Sequence, residues 1–263
     1  MNDWIDLNAD LGEQPDEQRR DIALMQVLSS CNIACGGHAG DAASMATMLR
    51  AARDAGVAAG AHPSYPDRAG FGRTSLDLPL AGLIESLIAQ VRALEAIAEA
   101  EGVPLTHIKP HGALYNDLAD RPDMALAVGQ ALQAAFPHLA QVGLAHGAAE
   151  ATAQAVGARF IAEGFVDRGY TPARRLVPRS QPGALIEDDA ARAAQAIAIA
   201  TGAPIVAQDG SLIHVVAQSL CIHSDSAGSE QTALRIAREM ASKGITIRAP
   251  GEMPDVPADL LRR

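Results

Sequence analysis

Apolar positions along this chain switch repeatedly between two periods. In residues 4–10, Ile5, Leu7 and Ala9 alternate with Asp6, Asn8 and Asp10, the spacing of a strand with one polar face. An amphipathic segment follows over residues 16–28, with Ile22, Met25 and Leu28 on one side. Residues 32–35 read as a short strand. Met45, Met48, Leu49 and Ala52 fall at helix spacing within residues 42–55, which Gly56 closes. Residues 57–62 form a third strand, and Leu80, Leu83, Leu87, Val91 and Leu94 mark a long helix ending near Gly102. Beyond it the pattern predicts a strand at 105–111, a helix-like segment opening at Gly112 and a helix at 123–135. A strand at 141–145, a helix at 148–155 and a strand at 159–163 come next. The remainder reads as a helix at 187–200, a hairpin at 204–216 around Asp209-Gly210, a strand at 220–223, a helix at 231–242 and an eighth strand at 245–247.

Strand and helix alternate from end to end without a linker or a shift in composition, which predicts parallel strands joined by right-handed crossovers. No G-x-G-x-x-G follows the first strand, and polar faces recur on many successive strands. That distribution suits a closed barrel, whose strand ends converge on one site, better than an open sheet with a single crevice. The expectation is one α/β domain over residues 1–263, an irregular barrel of about seven strands. Two loops, 63–79 and 164–183, are too long to be mere connections.

Composition narrows the function. The formal charge of -10 and 3% aromatic content argue against nucleic acid and anionic membranes as partners. No apolar run reaches transmembrane length, the start lacks the pattern of a signal peptide, and three cysteines suit a reducing, cytoplasmic setting. A small-molecule substrate is the default. There is no G-x-x-x-x-G-K-[ST], so any nucleotide the reaction uses is expected on another chain.

Only Lys109 and Lys243 among 21 basic residues are lysines. A lysine within an apolar strand of so arginine-rich a chain is therefore a candidate site residue, although it could also neutralise a buried Asp6 or Asp10. If residues 105–111 are extended, His107, Lys109 and His111 share one face. Asp10, at the loop end of its strand, suits a general base or a metal ligand. His38, His62 and His111 end three different strands. With Asp10 they could hold a zinc-like ion, or they could act as hydrogen-bonding and proton-shuttling groups without one. Cys35 and Cys221 read as packed small hydrophobes rather than nucleophiles. Arginines on the long loops, Arg68, Arg73, Arg168 and Arg179, could hold a substrate carboxylate.

The sequence at this point resembles a known family. Asp6-Leu7-Asn8-Ala9-Asp10-Leu11-Gly12-Glu13, Asn32-Ile33-Ala34-Cys35-Gly36-Gly37-His38-Ala39-Gly40-Asp41, and Gly60-Ala61-His62-Pro63-Ser64-Tyr65-Pro66-Asp67 are similar to the LamB/YcsF family. So are Lys109-Pro110-His111-Gly112-Ala113-Leu114-Tyr115-Asn116 and Glu163-Gly164-Phe165-Val166-Asp167-Arg168, in the family's order. Departures fall at Cys221-Ile222-His223-Ser224-Asp225, where a glycine is usual before the aspartate, and at Thr74, where a second arginine is common. The resemblance implies a barrel of the glycoside hydrolase/deacetylase type. It also implies hydrolysis of 5-oxo-L-proline to L-glutamate coupled to ATP hydrolysis, in a complex with B and C subunits. Together these readings place Asp10, His62, Lys109 and His111 in catalysis and Asn8, Glu13, His38, Arg68, Arg73, Asp167, Arg168 and His223 around the substrate. Two alternatives stand beside this one: a self-sufficient metal-dependent deacetylase or amidohydrolase, and a chain that binds substrate without catalysis.

Overall fold

A computed structural model describes residues 3–224 and 228–249. Seven parallel strands close a barrel: β1 (Trp4–Leu11), β2 (Ser30–Ala34), β3 (Ala58–His62), β4 (Leu105–Ile108), β5 (Ala140–Leu144), β6 (Phe160–Phe165) and β9 (Ser219–Cys221). The ring shuts where β9 pairs with both β6 and β1. The eighth strand, β10 (Thr246–Ile247), pairs with Trp4 and Ile5 at the start of β1 and adds to the sheet outside the ring. The hairpin around Asp209-Gly210 is present as β7 (Ile205–Val206) and β8 (Leu212–Ile213), a separate two-stranded sheet.

Helices α1 (Gln18–Leu24), α2 (Ala42–Ala55), α3 (Leu80–Glu101), α4 (Gly112–Asp120), α5 (Pro122–Ala135), α6 (Ala148–Ala155), α7 (Asp189–Thr201) and α8 (Ser229–Ser242) follow the strands in turn. The α2 helix begins where Asp41 and Ser44 cap each other reciprocally and stops at Gly56 in the left-handed conformation. Its Met45, Met48, Leu49 and Ala52 are buried, as the spacing predicts. No helix among the described residues is long and apolar enough to cross a membrane.

The strand expected over 105–111 ends as a regular ladder at Ile108, because Pro110 has no N–H to donate. Its register nevertheless continues, since the Lys109 and His111 amides donate to the carbonyls of Ala61 and Pro63. That continuation keeps His107, Lys109 and His111 on one face. At Gly60 a Cβ would collide with the His107 ring, so only glycine lets β3 pass this histidine.

Candidate active site

Along β1, Leu7, Ala9 and Leu11 join the hydrophobic core while Asp6, Asn8 and Asp10 enter a polar network inside the barrel. At the start of the strand, Asp6 accepts hydrogen bonds from Ser29, Ser30 and Ser219. Burial raises its pKa to about 6 despite these donors. One turn of the pleat further, Asn8 donates to Glu163 Oε1 at 2.8 Å and accepts from Asn32. Neutral His107, its pKa lowered to about 3 chiefly by burial, bridges Asn32 and Thr106. Asn8 and His107 thus form a buried support rather than part of the cavity wall.

A group with a raised carboxyl pKa makes folding pH-dependent with a defined sign. Asp6 is protonated more readily folded than unfolded, so between about pH 4 and pH 6 its ionisation costs stability as pH rises. The Asp6→Asn variant should therefore gain on wild type by about 3 kcal/mol as pH increases across that window. Urea titrations of both proteins at a series of pH values measure the difference, and a difference independent of pH would contradict the assignment.

Above this layer lies the ammonium of Lys109. It is 2.9 Å from Asp10 Oδ1, 2.9 Å from Glu163 Oε1 and 3.2 Å from Cys221 Sγ. Burial alone would lower its pKa, but Asp10, Cys221 and Glu163 outweigh burial and keep it a cation. Burial likewise works against the Asp10 carboxylate, and His62 and Lys109 together hold its pKa well below the ordinary range. The lysine does neutralise a buried carboxylate, with Asp10 and Glu163 as its partners and Asp6 outside its reach. Glu163 is visible in the sequence as a charged residue in an otherwise apolar strand, the same signal that marks Lys109.

Beside Asp10, three imidazoles and a carboxylate gather. Gly12 at φ 74° turns the chain immediately after β1 and brings Glu13 to His38 Nε2 (3.0 Å) and His111 Nδ1 (3.1 Å). His62 Nε2 lies 3.0 Å from His111 Nδ1, 3.3 Å from Asp10 Oδ2 and 3.7 Å from Glu13 Oε1. The His38 and His111 rings stack with centroids 3.6 Å apart. Burial holds His38 neutral, its pKa lowered to about 4. The strand ends do bring His38, His62 and His111 together, but the carboxylate at the centre of the cluster is Glu13.

These groups open onto a cavity of about 430 Å³, within the usual range for small-molecule sites. Asp10, Glu13, His62, Lys109 and His111 line it together with Phe165, Tyr115 and His223. His223 Nδ1 is fixed by Asp167 at 2.8 Å and its ring stacks on Phe165. Asp167 is held near a pKa of about 2, against burial, by His223. Among the arginines, Arg168 lines the cavity but donates to the carbonyls of Ala184 and Val177, and so ties down the 164–183 loop. Arg68 donates to Gly36 and Gly40 and is not part of the cavity wall. Arg73 and Arg179 do line it, joined by Arg175, which no sequence pattern singles out. Tyr115 is a further residue that sequence reasoning misses; its buried hydroxyl makes no regular hydrogen bond, and burial together with Glu163 pushes its pKa well above normal. Asp225 lies outside the described residues.

A model of the LamB/YcsF family matches residues 5–255. The chain is 43% identical to the first of the 5-oxoprolinase A subunits of Agrobacterium fabrum over 247 residues, covering 93% of this chain and 97% of the relative. It is 44% identical to the 5-oxoprolinase A subunit of Carboxydothermus hydrogenoformans over 248 residues, covering 94% and 97%. The crystal structure of the lactam utilization protein from Thermus thermophilus superposes with a TM-score of 0.85 at 35% identity, over 94% of this chain and 99% of that one.

Proposed function

Because the chain belongs to the LamB/YcsF family, we propose that it is the A subunit of an ATP-dependent 5-oxoprolinase, hydrolysing 5-oxo-L-proline to L-glutamate. The observation that carries this reading is a polar cavity of suitable size in a chain 43–44% identical to relatives bearing that name. The whole chain, residues 1–263, serves as one barrel domain in the cytoplasm. The B and C subunits are its partners, and the ATP is bound there.

A lactam is an unreactive amide, so the partners' share is to activate the carbonyl with ATP. In this barrel, water adds to the activated, phosphorylated carbon and the ring C–N bond breaks as the nitrogen takes up a proton, leaving γ-glutamyl phosphate. A second water cleaves its acyl–phosphate bond to give glutamate and inorganic phosphate. Asp10 is the general base, kept ionised and next to the cavity by Lys109 and His62. Lys109 faces the oxygen on which negative charge grows. His62 and His111 flank the base, while Glu13 and His38 complete the cluster behind them. His223, fixed by Asp167, also lines the cavity and faces the substrate. Arg73 and Arg179, which line the cavity, are the arginines assigned to the substrate carboxylate, while Arg168 donates to the Val177 carbonyl and Arg175 to Asp120 and the His146 carbonyl.

Purified together with the B and C subunits, the protein is expected to form glutamate from 5-oxoproline with stoichiometric ADP, and the mixture lacking it to form none. Equal glutamate formation without this chain would refute the proposal. The imidazole cluster favours a second reading, a self-sufficient metal-dependent amidohydrolase. That reading predicts chelator-sensitive amide hydrolysis by the chain alone, with no need for ATP.

A further inference from the structure

We propose that Glu13, His38, His62 and His111 form a binding site for one divalent first-row transition ion of the zinc class. His62 Nδ1 lies 2.7 Å from the carbonyl oxygen of Lys109, and His111 Nε2 lies 2.9 Å from that of Phe71. A carbonyl only accepts, so each of these nitrogens carries the ring's hydrogen. In the neutral rings the opposite nitrogens, His62 Nε2 and His111 Nδ1, are then bare lone pairs, and they face each other at 3.0 Å. Glu13 Oε1, another acceptor, stands 3.1 Å from one and 3.7 Å from the other. Acceptors converge in this way only around a positive charge, either a proton held on His62 Nε2 or a bound cation. The nearest ammonium, Lys109, makes its ion pairs with Asp10 and Glu163 instead.

A proton can bridge one pair of these atoms, whereas an ion satisfies all four together. The geometry favours the ion on three counts. All four ligand atoms lie within 4.8 Å of one another. The short contacts, 3.0 to 3.7 Å, bracket the separation of roughly 3.3 Å between ligands on a tetrahedral zinc with 2.0–2.1 Å bonds. Backbone carbonyls holding the far nitrogens of His62 and His111 fix their tautomers, as outer partners of metal-bound histidines do. Three imidazoles with a single carboxylate select a zinc-like ion over magnesium or calcium, which prefer all-oxygen shells. Glu13, His62 and His111 also line the cavity, which gives an ion a route in.

The test uses the untagged full-length protein stripped with chelator and reloaded with Zn²⁺ or Co²⁺. After desalting, elemental analysis should find about one ion per chain, as a single four-ligand site requires. The Co²⁺ form should show visible d–d absorption, and the Zn²⁺ form should melt at a higher temperature than the stripped protein. Glu13→Gln and His38→Ala, each with an unaltered circular dichroism spectrum, should weaken binding by ~100-fold or more, the upper end of what an outer-shell partner alone is worth. A wild-type protein that retains neither ion overturns the proposal even if both variants misfold, as does undiminished binding in both folded variants. Glutamate formation is not the readout, so failure of the 5-oxoprolinase assignment would leave this result standing, and the reverse.

Discussion

Replacing Lys109 with Met is expected to destabilise the protein by about 3–5 kcal/mol and to lower turnover by ~10²–10³ or more. The two losses have separate origins. In the folded chain the ammonium lies between Asp10 and Glu163, and the Glu163 side chain is wholly buried. A methionine fills similar volume but leaves Glu163 as an unpaired charge in the interior, the costly outcome for a broken ion pair. In the proposed mechanism the turnover loss comes from removing the cation that pairs with Asp10 and stabilises the oxyanion. Adding Glu163→Gln to Lys109→Met removes the stranded charge, so the double variant should recover most of the lost stability and none of the lost turnover. Denaturant melts and steady-state assays of the single and double variants separate the effects. A single variant with unchanged melting and unchanged turnover would remove Lys109 from both roles.

Asp10→Asn is the complementary case, with the larger effect on chemistry and the smaller on folding. The amide keeps an oxygen to accept from Lys109 and Asn32, as the carboxylate does now. Glu163 still balances the ammonium. What disappears is the ability to take a proton from water, a contribution of ~10²–10⁴ in rate for a positioned general base. The expected signature is a fall in kcat with KM close to that of wild type and an unaltered melting curve. Turnover within a factor of about three of wild type, well short of that range, would exclude Asp10 as the base.

Much of this site can be read in the sequence because strand geometry is local. Two-residue alternation is enough to put Asp6, Asn8 and Asp10 on one face, and the same rule aligns His107, Lys109 and His111. Strand ends in a closed barrel converge, so histidines ending β3, the 105–111 segment and the turn after β2 meet near one axis. The unread parts depend on direction or distance. Glu13 lies just past β1, and its aim is set by the positive φ of Gly12, which residue spacing does not reveal. Asn8 and Glu163 meet across 155 residues, and no local pattern announces their pairing. Arg168, Arg73 and Arg179 look alike in the sequence. All three line the cavity, and only the fold shows that Arg168 is tied to the carbonyls of Ala184 and Val177. Alternation overstates the length of the fourth strand where Pro110 interrupts the ladder, although hydrogen bonds by the residues flanking that proline preserve the register.

The three thiols carry a practical consequence. Cys31, Cys35 and Cys221 are all unpaired and almost completely shielded from solvent. Burial pushes Cys31 and Cys35 up to about 12, and Cys221 stays well above its normal value even with Lys109 beside it. Since the thiolate is the reactive species, the native protein presents a silent background to maleimides and other alkylating probes. A single cysteine introduced at an exposed rim position, such as Arg179→Cys, would then take up label alone, and a fluorophore there could report the approach of a partner to the cavity mouth without any native thiol having to be removed first.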